Sequence, residues 1–188
     1  MGYELYTQMV QQAVEEVKAE AAGKPLPDEE TDGLPKLEFA ADAFFPDDYM
    51  EDAGQRVAYY RRMFRCEDFR EVDAIQEEVR DRFGRIPQEG RNLVGLVELR
   101  LLGRDVGIGS AKLSSKSFSI DFDVNKMPAE RRGEALSERV RHIMRKAGDF
   151  PLEFRGRDGL GVRVLMDHGM DWDGVMERAK KFLLCLLD

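Results

Sequence analysis

The stretch after Pro87 limits what this chain can fold into more than any other. Leu93, Val94, Leu96, Val97, Leu99, Leu101 and Leu102 follow so closely that a helix through them is apolar on nearly every side. Such a helix has no face to give to water, so other elements must enclose it. Pro87 suits its start, where a missing backbone N–H costs nothing. The chain is therefore expected to fold around a central, most buried helix opening at Pro87.

The elements before it are amphipathic. Asp52 is placed to cap a helix over 53–65, whose apolar residues are Val57, Tyr60, Met63 and Phe64. Asp68, with Glu71 three residues later, has the spacing of a capping box, with Asp in place of Ser or Thr. The helix it starts carries Val72, Ile75, Val79 and Phe83 along one stripe and stops at Gly84. Upstream, Phe44-Phe45-Pro46-Asp47-Asp48-Tyr49 reads as a turn bearing aromatic anchors, and the alternation of Leu37, Phe39 and Ala41 predicts a short strand.

Earlier still, Gly23, Pro25, Pro27, Gly33 and Pro35 punctuate an acidic stretch that reads as a linker. Leu5, Met9, Val10, Ala13, Val14 and Val17 before it recur at helical spacing. The expected organisation is an amphipathic helix within 1–20, a Pro/Gly linker over 21–36 and a compact domain over 37–188.

Beyond the central helix the periodicity changes. Residues 109–114 and 117–123 look like a hairpin, with Phe118, Ile120 and Phe122 on one face. Pro128 opens a helix that aligns Leu136, Val140, Ile143 and Ala147. Residues 151–155 and 161–166 read as a second hairpin, turned by the glycine-rich stretch 156–161. Asp171 caps a last helix bearing Trp172, Val175, Met176, Ala179, Phe182, Leu183 and Leu186. The fold class is α+β: helices packed with short antiparallel hairpins, after an N-terminal helix and linker.

Chemistry is sparse. With 29 basic against 37 acidic residues the formal charge is −8 and the pI about 5.0, which disfavours tight binding to a phosphate backbone. Cys66 and Cys185 form no C-x-x-C pair and imply neither disulfides nor zinc. Without a secretory leader or an apolar run long enough to cross a bilayer, a cytoplasmic protein with no membrane contact is expected. Gly107-Ile108-Gly109-Ser110-Ala111-Lys112 follows a helix and leads into a strand, the reverse of a phosphate loop, and reads as a strand-entry turn. His142 is assigned to a solvated face beside Arg139 and Lys146, and His168 to a loop after Asp167, so neither suggests a catalytic pair. No cofactor or metal is called for.

Two surfaces remain. Arg131, Arg132, Arg139, Arg141, Arg145 and Lys146 lie in one helix against Glu130, Glu134 and Glu138, which reads as a solvated face and alternatively as a nucleic-acid contact over 131–146. Opposite its apolar stripe, the 68–84 helix presents Glu78, Asp81 and Arg82, neighbours at i, i+3 and i+4. Mixed charge of this kind suits a polar protein–protein contact.

Phe45-Pro46-Asp47-Asp48-Tyr49, Arg56-x-x-x-Tyr60-Arg61-Arg62, Asp81-Arg82-Phe83-Gly84-x-x-Pro87, Leu99-Arg100 and Gly107-Ile108 occur in an order and spacing that resembles the C-terminal domain of bacterial transcription-repair coupling factors. Gly2-Tyr3-Glu4-Leu5-Tyr6 is similar to the family segment that trails the motor. This chain departs at Glu51, where the family usually has Pro, and at Gly54, where it usually has Asn. The resemblance implies a domain without ATPase or DNA-binding motifs, cut from an ATP-driven DNA translocase that displaces stalled RNA polymerase and recruits excision repair through UvrA. It further implies docking on the UvrB-homology module of the same parent chain, hiding the UvrA-binding surface, through residues that fall here on Glu78, Asp81 and Arg82.

Overall fold

Side-chain caps and glycines set the helix ends. In the computed structural model, which describes residues 34–123, 136–148, 150–155 and 160–187, Asp52 accepts a hydrogen bond from the Gln55 amide at 3.0 Å and α1 runs Ala53–Arg65. The departures at Glu51 and Gly54 do not disturb this cap. Asp68 accepts from the Glu71 amide (3.0 Å), and the Glu71 carboxylate accepts in turn from the Glu67 amide (2.7 Å), so α2 spans Phe69–Phe83. Gly84 ends it at φ +85°, a conformation that glycine adopts without strain. α3 runs Gln88–Val106 directly after Pro87 and is buried along almost its whole length. The expected helix within 1–20, most of the linker, the start of the Pro128 helix with Arg131 and Arg132, and the turn at 156–159 lie outside the described residues.

The described residues divide into two compact units, one of Ala41–Val97, the other of residues 34–40 with 98–187. In the first, α1 and α2 pack on each other above an aromatic floor. Phe45 is fully buried, stacks on Tyr60 at 5.8 Å and meets Tyr49 and Tyr59 at 6.0 and 6.4 Å; Phe83 joins Tyr49 and Tyr59 at 5.9 and 6.1 Å. The Phe45 amide donates to the Tyr60 hydroxyl (2.9 Å) and the Phe44 amide to the Glu89 carbonyl (3.1 Å), fixing this turn to the start of α3. Gly90 lets α3 come this close, since a Cβ there would lie 2.6 Å from Ile86 and 3.1 Å from the Phe45 ring.

The second unit is built on one five-stranded sheet: β1 (Lys36–Phe39), β2 (Ile108–Leu113), β3 (Ser117–Phe122), β4 (Leu152–Arg155) and β5 (Gly161–Leu165), in the order β1-β2-β3-β5-β4. The two hairpins are not separate, because β3 pairs with β5. Joining them removes two open edges and makes Phe118 and Ile120 continuous with Val164 and Val162 on one apolar face. β1 pairs parallel to β2, since three helices carry the chain back before β2 begins. α4 (Leu136–Ala147) packs on α5 (Trp172–Leu187), and Trp172 meets Phe39 edge-on at 4.8 Å. Asp171 accepts from the Gly174 amide at 2.8 Å, the expected cap. On the opposite face Glu38, Lys112, Ser119, Arg163 and Glu153 form one row across all five strands.

α4 differs from expectation on its core side. Arg139, assigned to a solvated basic face, is buried in line with Ile143 and Ala147, and His142 is half-buried rather than solvated. An arginine's long aliphatic stem lets it occupy such a position. Arg141 and Arg145 remain exposed.

Candidate functional site

Three side chains of α1 and two of α2 meet in one polar hub. Gln55, Tyr59 and Arg62 lie at i, i+4 and i+7 on α1, and Glu78 and Arg82 at i and i+4 on α2, so each set shares one helical face. Arg62 grips Glu78 with both terminal nitrogens, Nη1 to Oε1 at 3.1 Å and Nη2 to Oε2 at 2.6 Å. The Tyr59 hydroxyl donates to Glu78 Oε1 at 2.8 Å and accepts from Arg82 Nη1 at 2.9 Å. Arg82 Nη2 donates to Gln55 Oε1 at 3.3 Å. Both guanidinium groups also lie over the Tyr59 ring, at 5.3 and 6.0 Å from its centroid, and Arg82 lies 5.3 Å from that of Phe83.

Electrostatics follow from that geometry. The Arg62 hydrogen bonds, then that of Tyr59, hold the Glu78 carboxyl at about 2, well below its ordinary 4.5. Glu78 in turn raises the Arg62 guanidinium. Burial, then the hydrogen bond to Glu78, pushes the Tyr59 phenol up. Tyr59 is buried and belongs to the aromatic floor, whereas the charged groups stay wet: Arg62, Glu78 and Arg82 side chains are 48%, 37% and 49% exposed. The hub is thus a charged surface with an apolar foundation.

Of the three residues singled out in sequence, Glu78 and Arg82 come together and Asp81 does not. Asp81 is exposed and makes no ion pair among the described residues. Sequence reasoning missed Gln55, Tyr59 and Arg62. Their helical spacing was visible, but nothing local tied that face of α1 to Glu78.

Other candidates stay apart from the hub. Gly107, at φ +83°, sits between the end of α3 and the first residue of β2, a strand-entry turn. His168 is exposed, and its neighbour Asp167 is held by Arg178 at 2.8 Å. Among the described residues no group of three or more His, Cys, Asp and Glu could hold a metal ion, and no helix is long and apolar enough to cross a membrane.

Comparison with known proteins places these features in one family. A family model described as the TRCF domain matches residues 39–132. The transcription-repair-coupling factor of Haemophilus influenzae is 27% identical over 154 residues, covering 82% of this chain and 13% of that protein. Those of Escherichia coli and Mycobacterium bovis are 28% and 32% identical, covering 65% and 61% of this chain and 10% of each relative. The chain therefore spans only about a tenth of these relatives' length. A crystal structure of the C-terminal domain of a transcription-repair coupling factor shares the fold, with a TM-score of 0.66 at 18% identity, over 82% of this chain and 94% of that one.

Proposed function

Because this chain belongs to the TRCF domain family, we propose that it is the C-terminal regulatory domain of a transcription-repair coupling factor, a docking module with no catalysis of its own. In this reading it binds the UvrB-homology module of the same parent chain through the exposed side of α2, with Glu78, Asp81 and Arg82. Docking covers the surface that UvrA would use and restrains the translocase until RNA polymerase engages. Residues 1–20 would be the trailing helix of the motor region, and 21–36 the tether to the domain over 37–188.

The observation that carries this reading is the hub itself, an ordered and half-exposed set of charges on a rigid aromatic floor. A latch must be closed by default and still releasable. Holding a closed state at about 99:1 takes ~2.7 kcal/mol, while a single exposed ion pair contributes only about 0.2–1 kcal/mol. Several polar contacts presented together reach the required strength without becoming irreversible. Their preorganisation lowers the entropy lost on docking.

Calorimetric titration of this chain with the UvrB-homology module tests the reading. Binding that weakens as salt rises supports it; ATP hydrolysis by this chain alone contradicts the non-catalytic assignment. The alternative, nucleic-acid binding by the 131–146 helix, gains nothing from Arg139, whose burial removes it from the solvent-facing cations.

A further inference from the structure

We propose that β4 is a self-complementary edge, through which two copies of this chain pair antiparallel about a two-fold axis at Phe154 and join their sheets into one. The contact uses the sheet unit alone and no member of the hub.

The backbone decides which groups are offered. In an antiparallel pair, residues that exchange hydrogen bonds alternate with residues that do not. The Leu165 amide donates to the Pro151 carbonyl at 3.0 Å, so in the β4–β5 register Glu153 and Arg155 turn their N–H and C=O groups toward β5. The other side of β5 agrees. The Phe122 amide donates to the Leu160 carbonyl at 3.0 Å, which turns Val162 and Val164 toward β3 and leaves Gly161, Arg163 and Leu165 facing β4. Leu152 and Phe154 therefore turn their backbone groups outward. No described strand lies beyond β4, so these groups form an open edge.

The side chains select the occupant. Glu153 and Arg155 lie on the polar face of the sheet, opposite Arg163 and Gly161, and Phe154 lies on the apolar face opposite the buried Val162. Phe154 is nevertheless 40% exposed. When a second β4 runs antiparallel with its own Phe154 opposite this one, the two exchange both backbone bonds. Each Glu153 then falls directly opposite Arg155 of the second copy. These are non-hydrogen-bonded positions, where Cα atoms approach to about 4.5 Å and side chains come closest. Arg155 is exposed and makes no ion pair among the described residues, and Glu153 uses only Oε2, on Arg163 at 3.4 Å, so both have capacity left. Sliding one copy by two residues sets Glu153 against Glu153 in one direction and Arg155 against Arg155 in the other. Like charges directly opposite are destabilising, which singles out the register centred on Phe154. Because one patch serves both copies, the contact closes at two. Three residues from each copy bury far less than the roughly 1,200–2,000 Å² of a stable interface, so the dimer is weak and depends on concentration.

The test is sedimentation equilibrium of this chain from micromolar to millimolar concentration. Wild type is expected to show a monomer–dimer equilibrium that weakens in molar salt. Arg155→Glu and Glu153→Arg should each weaken it about tenfold, because each sets like charges opposite one another. An equimolar mixture of the two variants should recover wild-type association, since every cross-strand pair is then opposite in sign. Phe154→Pro removes the outward N–H and the ring while leaving each β4–β5 bond its donor, and should abolish the dimer. Arg155→Glu breaks no ion pair among the described residues, so its effect reports on association and not on folding. A chain that stays monomeric at millimolar concentration overturns the proposal. Association that Arg155→Glu and Phe154→Pro leave at wild-type strength also overturns it, because the copies then meet elsewhere. Losses in the single variants without recovery in their mixture overturn the two-fold pairing of Glu153 with Arg155.

Discussion

Two polar surfaces of this molecule carry similar residues and behave differently. The hub on α1 and α2 and the row across the sheet each combine arginine or lysine with glutamate at salt-bridge distance. In the hub, every charged group contacts at least one other member, and Tyr59 ties the set to a buried aromatic floor. In the row the contacts run pairwise between strands: Lys112 to Glu38 at 2.7 Å, Arg163 Nε to Ser119 at 3.3 Å and Arg163 to Glu153 at 3.4 Å. Lys112 and Glu38 are 67% and 63% exposed, and that pair has no buried member. Proximity of opposite charges is common to both surfaces. What separates them is whether the charges are anchored on a buried side chain.

The largest expected effect comes from taking that foundation away. Phe45→Ala removes a fully buried ring that touches Tyr49, Tyr59 and Tyr60, and should destabilise the first unit by about 3–5 kcal/mol in chemical denaturation. A loss below about 1 kcal/mol would mean that the aromatic floor does not anchor the hub. A finer probe is Tyr59→Phe, which keeps the ring and deletes the hydroxyl. It should cost about 1 kcal/mol and raise the Glu78 carboxyl, which that hydrogen bond helps hold down after those of Arg62, in a side-chain NMR titration.

Glu78 gives the comparison a pH axis. A carboxyl whose value is depressed in the folded state contributes stability above its ordinary value and loses it as pH falls through the folded one. The hub's contribution should therefore be intact above pH 4.5 and fade between there and about 2. In Glu78→Gln that component is absent, so stability measured from pH 6 down to 2 should fall less steeply than in wild type. Equal slopes would place Arg62 and Glu78 among the surface pairs that contribute nothing measurable.

The helices were legible because their signals are local. Asp52, Asp68 and Asp171 cap within three residues of themselves, Gly84 ends α2, and α3 is apolar all round, so each could be read in a short window. The two hairpins were legible for the same reason, but the pairings beyond them were not, because β1 meets β2 across three helices and β3 meets β5 across α4. The site divides along the same line. Glu78 and Arg82 are one helical turn apart and were visible together, whereas Tyr59 and Arg62 lie 19 and 16 residues from Glu78 and join it only when α1 packs on α2. Arg139 was misread for a related reason: hydropathy ranks an arginine by its head group, and its stem decided where it went.

The smallest effect belongs to the sheet row, and it decides whether the contrast is real. Lys112→Met breaks the 2.7 Å contact to Glu38. Both side chains must be ordered to form that contact, in water that screens it, so exposed pairs of this kind typically yield about 0.2–1 kcal/mol. The change in stability should stay within about 0.5 kcal/mol, and the coupling to Glu38→Gln in a double-mutant cycle should shrink further in molar salt. The Arg62–Glu78 coupling, measured the same way, should be the larger of the two and should survive salt better, because Tyr59 holds the carboxylate in place whether or not the arginine is there. Equal couplings with equal salt dependence would mean that the aromatic floor adds nothing. The hub would then have no better claim than the sheet row to be the proposed docking surface.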